Sequence, residues 1–125
     1  MFKEIIIVLI IITSIITLDY ITQEYTKESV EKTSRMLSEL KQEIKNEGIN
    51  KKGFDNIVDE WDKSRIKLAY FIEHNELEKV ETNLTNIKSS IETGQQESID
   101  MFIDETIFIL EHIKDKNSFN LENIF

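Results

Sequence analysis

An uncharged apolar run near the N-terminus constrains this chain more than any other feature. Residues 5–18 hold eight Ile, two Leu and one Val, with two Thr and one Ser as their polar members. These 14 residues span about 21 Å as a helix, whereas residues 1–21 span about 31 Å, close to a hydrocarbon core of about 30 Å. We therefore predict a transmembrane helix over residues 1–21, interpreted as an uncleaved signal anchor.

Three other interpretations of this run are open. A cleaved signal peptide has a similar apolar length, although no small-residue cleavage site follows the run. A buried core helix is disfavoured because residues 5–12 are apolar on every face. A pilin-type N-terminus is disfavoured because Met1, and not Gly, precedes Phe2.

The charges beside the run predict its orientation. Lys3 and the α-amino group precede it, whereas Asp19 and Glu24 come before the first lysine that follows it, Lys27. Because positive flanks are retained in the cytoplasm, we expect a single-pass protein of the cell membrane with a cytoplasmic N-terminus. The acidic domain after the run would then lie on the extracytoplasmic side of the membrane.

Composition excludes several classes of protein. The 125 residues include no Cys, which rules out disulfide scaffolds, thiolate zinc sites and cysteine nucleophiles. A net charge of −9 without a basic run argues against nucleic-acid binding. No Pro and three Gly leave few turns, which disfavours an all-β sandwich.

After the run, apolar residues recur at helical spacing in four segments, so we predict an all-α fold. The first stripe is Val30, Leu37, Leu40 and Ile44, with Thr33 in its gap and Gly48 as a C-terminal cap. The second is Phe54, Ile57, Val58, Trp61, Leu68, Ala69, Phe71 and Ile72. The third is Leu77, Val80, Leu84, Ile87 and Ile91, ended by Gly94. The fourth is Ile99, Phe102, Ile103, Ile107, Ile109, Leu110 and Ile113.

These segments predict a membrane helix that continues into an antiparallel helical bundle. The bundle domain covers residues 22–116, with a helical stalk over 19–27, and residues 117–125 form a C-terminal tail. The stripes of the first and third helices are about 80° wide, like a coiled-coil seam, whereas the other two exceed about 150°. We therefore expect the second and fourth helices to supply most of the core.

The boundary between the second and third helices lacks Gly and Pro. The apolar stripe slips by one residue between Ile72 and Leu77, and Asn75 is a fair N-cap. We predict a tight turn at His74–Asn75. The alternative is one bent helix over residues 54–93, which would leave a three-helix bundle.

His74 and His112 are the low-ranking candidates for a metal or pH-sensing site, and each follows a Glu. Bundle metal sites use Glu-x-x-His, which puts both ligands on one face, and adjacent residues do not. We therefore expect histidines near helix C-termini that interact with the helix dipole. A released helical sensor that uses these Glu-His pairs is the alternative function. No cofactor is predicted, and without a nucleophile–base pair or a phosphate loop we expect no enzyme.

Two further features concern the bundle surface. Arg65 falls within the apolar face of the second helix, so it needs an acidic partner or must reach the rim. Met101 and Phe108 lie one heptad apart on the polar side of the fourth helix, a pattern typical of a partner-binding spot. Alternatively, apolar residues of the tail fold back and cover them. The partner would be another membrane protein or a second copy of the chain.

Several segments together resemble a family of small bacterial membrane-anchored helical proteins, domain-of-unknown-function family 4363. They are the N-terminal apolar run, Trp61, Phe71-Ile72-Glu73-His74 followed by Glu76-Leu77, Glu111-His112-Ile113, and Leu121-Glu122-Asn123-Ile124. The resemblance implies one membrane helix with a helical remainder, and it implies no activity.

Overall fold

In a computed structural model, which describes the backbone of residues 1–124 and the side chains of residues 1–117, every regular element is an α-helix. The helices are α1 (Phe2–Glu47), α2 (Lys51–Leu68), α3 (His74–Thr93) and α4 (Gln96–Ile124). The predicted all-α fold with four helices is confirmed. The alternative of one helix over residues 54–93 is wrong.

Two glycines end helices as predicted. Gly48 follows α1 with φ +95°, and its N–H donates to the Ile44 carbonyl over 3.0 Å. Gly94 follows α3 in the left-handed conformation, with φ +70°. A side chain at either position would be strained, because L-residues rarely adopt positive φ.

The helices form an up-down-up-down bundle in which α4 packs extensively along both α3 and α1. Two hydrogen bonds mark the ends of the antiparallel α1–α4 contact. Gln96 Nε2 donates to the Ile44 carbonyl at the distal end, and Gln23 Nε2 donates to the Asn117 carbonyl at the other. Helix α2 packs on α1 and makes only a short contact with α3.

Among the described side chains, the four helices share the core almost evenly, and the expected dominance of α2 and α4 is not seen there. Within these residues α1, α2 and α4 each bury four apolar residues and α3 buries five. They are Val30, Leu37, Leu40 and Ile44; Phe54, Ile57, Trp61 and Leu68; Leu77, Val80, Leu84, Ile87 and Ile91; and Ile99, Ile103, Leu110 and Ile113. Part of the wide apolar face of α2 stays at the surface because α2 touches α3 so little.

The turn between α2 and α3 occupies residues 69–73, directly before the predicted His74–Asn75, and Asn75 is not a cap. Helix α2 ends at Leu68, and the N-cap of α3 is Glu73, whose side chain makes no capping hydrogen bond. The Ile72 N–H donates to the Leu68 carbonyl over 2.8 Å, which reverses the chain without Gly or Pro. Phe71 then packs edge-on against Tyr25, with ring centroids 6.3 Å apart. Burial of the Phe71 and Ile72 side chains thus places this turn.

The predicted stalk, residues 19–27, is helical, but it is not free of the bundle. Residues 22–25 are half-buried and Thr26 is buried. Gln23 Nε2 donates to the Asn117 carbonyl, and Tyr25 packs against Phe71 in the turn after α2, so these contacts tie the segment to the bundle. Helix α4 continues to Ile124, whereas the sequence predicted that the last helix ends at 116. The prediction that side chains of the tail cover Met101 and Phe108 concerns residues outside those described.

Candidate functional site

The N-terminal third of α1 is an apolar surface without any protein cover. Every Ile, Leu and Val from Ile5 to Ile21 is between 42% and 63% exposed. The interpretation as a buried core helix is therefore wrong, since no part of the most apolar stretch is buried. Within the described chain, this is the one helix long and apolar enough to cross a membrane.

Two of the three Ser and Thr hydroxyl groups in residues 5–18 donate hydrogen bonds within the helix. Ser14 Oγ donates to the Ile10 carbonyl and Thr17 Oγ1 to the Thr13 carbonyl, both over 2.8 Å. Because lipid offers no hydrogen-bond partners, polar groups in a membrane helix need such internal partners. The Ser14 and Thr17 hydroxyls are thus compatible with a hydrocarbon surrounding.

A second candidate is an open groove of about 860 Å³ between α3 and α4, called here the α3–α4 groove. Its α4 wall is apolar and comprises Phe102, Phe108 and Ile109, together with Glu105. Its α3 wall is polar and comprises Asn75, Glu76, Glu78, Lys79, Thr82, Asn83 and Asn86, with Glu73 at one end. From Asn75 to Asn86 it runs for about 16 Å, or three helical turns.

The predicted pair, Met101 and Phe108, is exposed on α4 at 57% and 73%. Phe108 lines the α3–α4 groove, whereas Met101 lies one heptad away on the same side of α4. The pair therefore extends the apolar wall of the groove onto the outer face of α4.

The groove is bordered mainly by carboxylates. Glu76 is 8% exposed, and its Oε1 lies 3.7 Å from Lys79 Nζ and 3.9 Å from Lys116 Nζ. The other Glu76 carboxylate oxygen, Oε2, is buried without a hydrogen-bond partner among the described residues. Four Glu and one Lys line the groove, so it attracts cations.

The two histidines lie elsewhere than predicted. His74 is the first residue of α3, and its Nε2 lies 2.9 Å from Glu78 Oε1. His112 lies within α4 and is exposed. Neither is near a helix C-terminus, because the turn comes before His74 and α4 continues beyond residue 116. Among the described side chains, no three metal-ligating groups come together.

Arg65 has an acidic partner and reaches the surface, as predicted. Its Nε lies 2.6 Å from Glu81 Oε1 on α3, and its side chain is 39% exposed. Other ion pairs also link helices. Lys41 binds Asp104 in a bidentate hydrogen bond, which raises the pKa of the lysine. The hydrogen bond from Lys32 lowers the pKa of Glu60. These pairs are largely solvated, so each stabilises the bundle only slightly.

Sequence reasoning located the α4 side of the groove but missed its α3 side. The missed residues include Asn75, Lys79, Thr82 and Asn86, spaced as i, i+4, i+7 and i+11 along one face. That spacing was visible beside the apolar stripe of α3. However, the face becomes a groove wall only because α4 is its neighbour, and the pattern does not state which helices are neighbours.

Comparison with known proteins gives one match. A family model described as a domain of unknown function (DUF4363) matches residues 20–124. No curated protein and no solved structure matches significantly. The matched region starts near the end of the apolar surface and contains the whole bundle.

Proposed function

The chain belongs to the DUF4363 family, and we propose that it is a single-pass membrane protein whose acidic helical bundle binds another protein outside the cytoplasmic membrane. The observation that carries this proposal is the continuity of α1. One helix of 46 residues has an apolar, uncovered first part and a second part that lies in the bundle core. Such a helix joins a lipid-solvated segment directly to a water-solvated domain.

The charges around the anchor support an extracytoplasmic bundle. Lys3 and the α-amino group precede the apolar surface, and Asp19 and Glu24 follow it. Retention of positive flanks in the cytoplasm places residues 22–125 on the opposite side of the membrane.

The α3–α4 groove is the proposed binding surface. Its dimensions suit an α-helix of about three turns, which is a recurrent mode of protein recognition. Phe102, Phe108 and Ile109 would contact apolar residues of that helix, and the surrounding carboxylates would bind its Lys or Arg side chains. We therefore propose an amphipathic, basic helix of another protein as the partner. A second copy of this chain suits the groove poorly, because each copy has a net charge of −9.

Anchoring and orientation are tested with reporters fused to the C-terminus of the full chain. One reporter is active only in the cytoplasm and the other only outside it. We expect activity from the outer reporter, with the protein in the membrane fraction after high-speed centrifugation. Activity of the cytoplasmic reporter would overturn the orientation. A mature protein that begins near residue 20 by mass spectrometry would overturn the anchor in favour of a released domain.

Binding is tested with a photo-crosslinking amino acid at Phe108 in the full chain, and with the same amino acid at Ile49 as a control. Ile49 is 42% exposed and lies in the loop between α1 and α2. We expect adducts from position 108 to map to a basic, apolar helix of one protein, and to disappear when Met101→Asp accompanies the probe. Adducts to the chain itself, or the same adducts from both positions, would contradict the proposed partner.

A further inference from the structure

The C-terminal end of α2 presents an apolar surface that neither the core nor the α3–α4 groove accounts for. Ile66 is 64% exposed and Tyr70, in the following turn, is 87% exposed. Lys63, Ile66 and Lys67 occupy positions i, i+3 and i+4 on one face of α2, and Tyr70 follows in the turn directly after the helix. We call these four residues the α2 patch.

Contacts with α1 fix the height of the α2 patch in the bundle. Lys67 Nζ lies 5.5 Å from the centroid of the Tyr25 ring, and Phe71 packs on the same ring. Tyr25 comes four residues after Ile21, the last residue of the apolar surface, a rise of about 6 Å along α1. The α2 patch is therefore at the end of the bundle that adjoins the apolar surface.

The residues of the α2 patch match the chemistry of a membrane interface. Tyrosine is enriched at the level of lipid headgroups, where the ring contacts apolar groups and the hydroxyl contacts water. Lysines at this level bind anionic phosphates through their ammonium groups and lay their carbon chains along apolar surface. Among the described side chains, neither Lys63 nor Lys67 lies within ion-pair distance of a carboxylate. Lys67 Nζ lies over the Tyr25 ring, and a lysine ammonium in such a contact keeps N–H groups that can donate to a phosphate.

We infer that the α2 patch is a second membrane contact, in which Tyr70 and Ile66 enter the headgroup region and Lys63 and Lys67 bind lipid phosphates. This inference rests on the proposed anchor. With one helix in lipid and a second point of contact beside it, the bundle has a fixed rotation about α1. The α3–α4 groove then faces along the membrane in one defined direction, since α2 and α4 occupy opposite corners of the bundle.

The test uses the absence of Cys from the natural chain, which allows single fluorescent labels in the full-length protein. Labels at Ile10→Cys, Ala69→Cys and Ile49→Cys report on the anchor, the α2 patch and the distal end of the bundle. The proteins are reconstituted in vesicles of phosphatidylcholine and phosphatidylglycerol that contain lipids with a nitroxide quencher. The nitroxide is attached to the acyl chain for position 10 and to the headgroup for positions 69 and 49.

We expect loss of fluorescence at positions 10 and 69 and no loss at position 49. Quenching at 10 without quenching at 69 would overturn the second contact and leave the anchor intact. Absence of quenching at 10 would overturn the anchor itself. Protection of position 69 from water-soluble quenchers in native membranes, but not in protein-free vesicles, would show a protein occupant and would also overturn the inference.

Two matched variants separate the contributions of the α2 patch. Ile66→Ser/Tyr70→Ser should reduce quenching of the label at position 69, and Lys63→Gln/Lys67→Gln should reduce it in vesicles that contain phosphatidylglycerol. The control is Lys51→Gln/Lys52→Gln, which removes the same charge from the other end of α2 and should change nothing. Equal reduction by both lysine pairs would overturn a local phosphate contact. Circular dichroism verifies that each variant is folded.

Discussion

The two parts of α1 invert the usual relation between polarity and burial. In residues 5–18 the isoleucines and leucines are all exposed, whereas the second part of the helix buries Thr26, Ser29, Thr33 and Ser34 as well as aliphatic residues. The Thr33 hydroxyl donates to the Ser29 carbonyl over 2.9 Å, so its burial leaves no unpaired donor.

This contrast is what we expect of one helix adapted to two solvents, if the proposed anchor lies in lipid. Apolar side chains that face lipid need no packing partners, because hydrocarbon solvates them. Small hydroxyl residues inside the bundle let α1 approach its neighbours closely. The Thr26 and Thr33 hydroxyls donate to carbonyls of α1, whereas Ser34 Oγ is buried without a hydrogen-bond partner among the described residues. The measurements predicted below test whether the two parts of α1 differ in this way.

The largest expected effect comes from charge placed in the middle of the apolar part. Ile11→Lys/Ile12→Lys should cost about 6 kcal/mol of insertion free energy, at about 3 kcal/mol for each central lysine. We expect loss of the protein from sedimented membranes. The depth control is Tyr20→Lys/Ile21→Lys, whose long side chains reach the headgroups and should leave the protein anchored. Equal retention of both variants would show that residues 5–18 do not lie in lipid.

The next largest effect is expected when one leucine in each part of α1 is replaced by alanine. Leu37 is fully buried, so Leu37→Ala should lower the free energy of unfolding of the bundle by about 2–5 kcal/mol. Leu9 is 57% exposed, and Leu9→Ala should leave that free energy unchanged. Denaturant titration of the full chain in detergent, followed by circular dichroism, measures both variants. A comparable loss for Leu9→Ala would mean that the apolar part packs against protein.

The distal end of the bundle gives a smaller effect. Asn50 Oδ1 accepts a hydrogen bond from the Gly53 N–H over 3.0 Å, and Asn50 Nδ2 donates to Glu43 Oε1 over 2.7 Å. Asn50→Ala should therefore cost about 1 kcal/mol of unfolding free energy. Asn75 lies inside α3 and is exposed, so Asn75→Ala should cost nothing. A cost for Asn75→Ala as large as that for Asn50→Ala would show that Asn75 caps α3, as predicted from the sequence.

The smallest expected effect concerns the Lys41–Asp104 pair, which joins the bundle part of α1 to α4. Asp104→Asn should cost about 0.5 kcal/mol of unfolding free energy at neutral pH. The pair raises the pKa of Lys41 above its ordinary 10.5, so its stabilisation is complete below pH 10.5 and is lost as pH rises through the raised value. Unfolding titrations at neutral and strongly alkaline pH should therefore differ less in the variant than in the natural chain. An unchanged difference would show that the pair contributes nothing.

The sequence predicted those parts of the fold that depend on local pattern. The stripe from Val30 to Ile44, the stripe from Leu77 to Ile91 and the two glycine caps each follow from spacing within one helix. The turn after Leu68 did not, because its position depends on the contact of Phe71 with Tyr25, 46 residues earlier in the chain. Contacts between distant segments leave no periodic signal.

The same distinction applies to the candidate site. Exposure of Met101 and Phe108 could be predicted from their place on the polar side of α4. The groove itself required knowledge that α3 packs beside α4, and the even division of the core required knowledge that α2 touches α3 only briefly. Both are properties of helix arrangement, which four stripes of similar composition do not determine.

The unbroken course of α1 also has a mechanical consequence. From Thr22 to Glu47 the helix is about 39 Å long, and no Gly, Pro or loop interrupts it after the proposed anchor. If the anchor leans by about 20° within the bilayer, a stiff rod of this length moves its far tip sideways by roughly 13 Å. Neighbouring proteins that change the tilt of the anchor would thereby displace the distal end of the bundle.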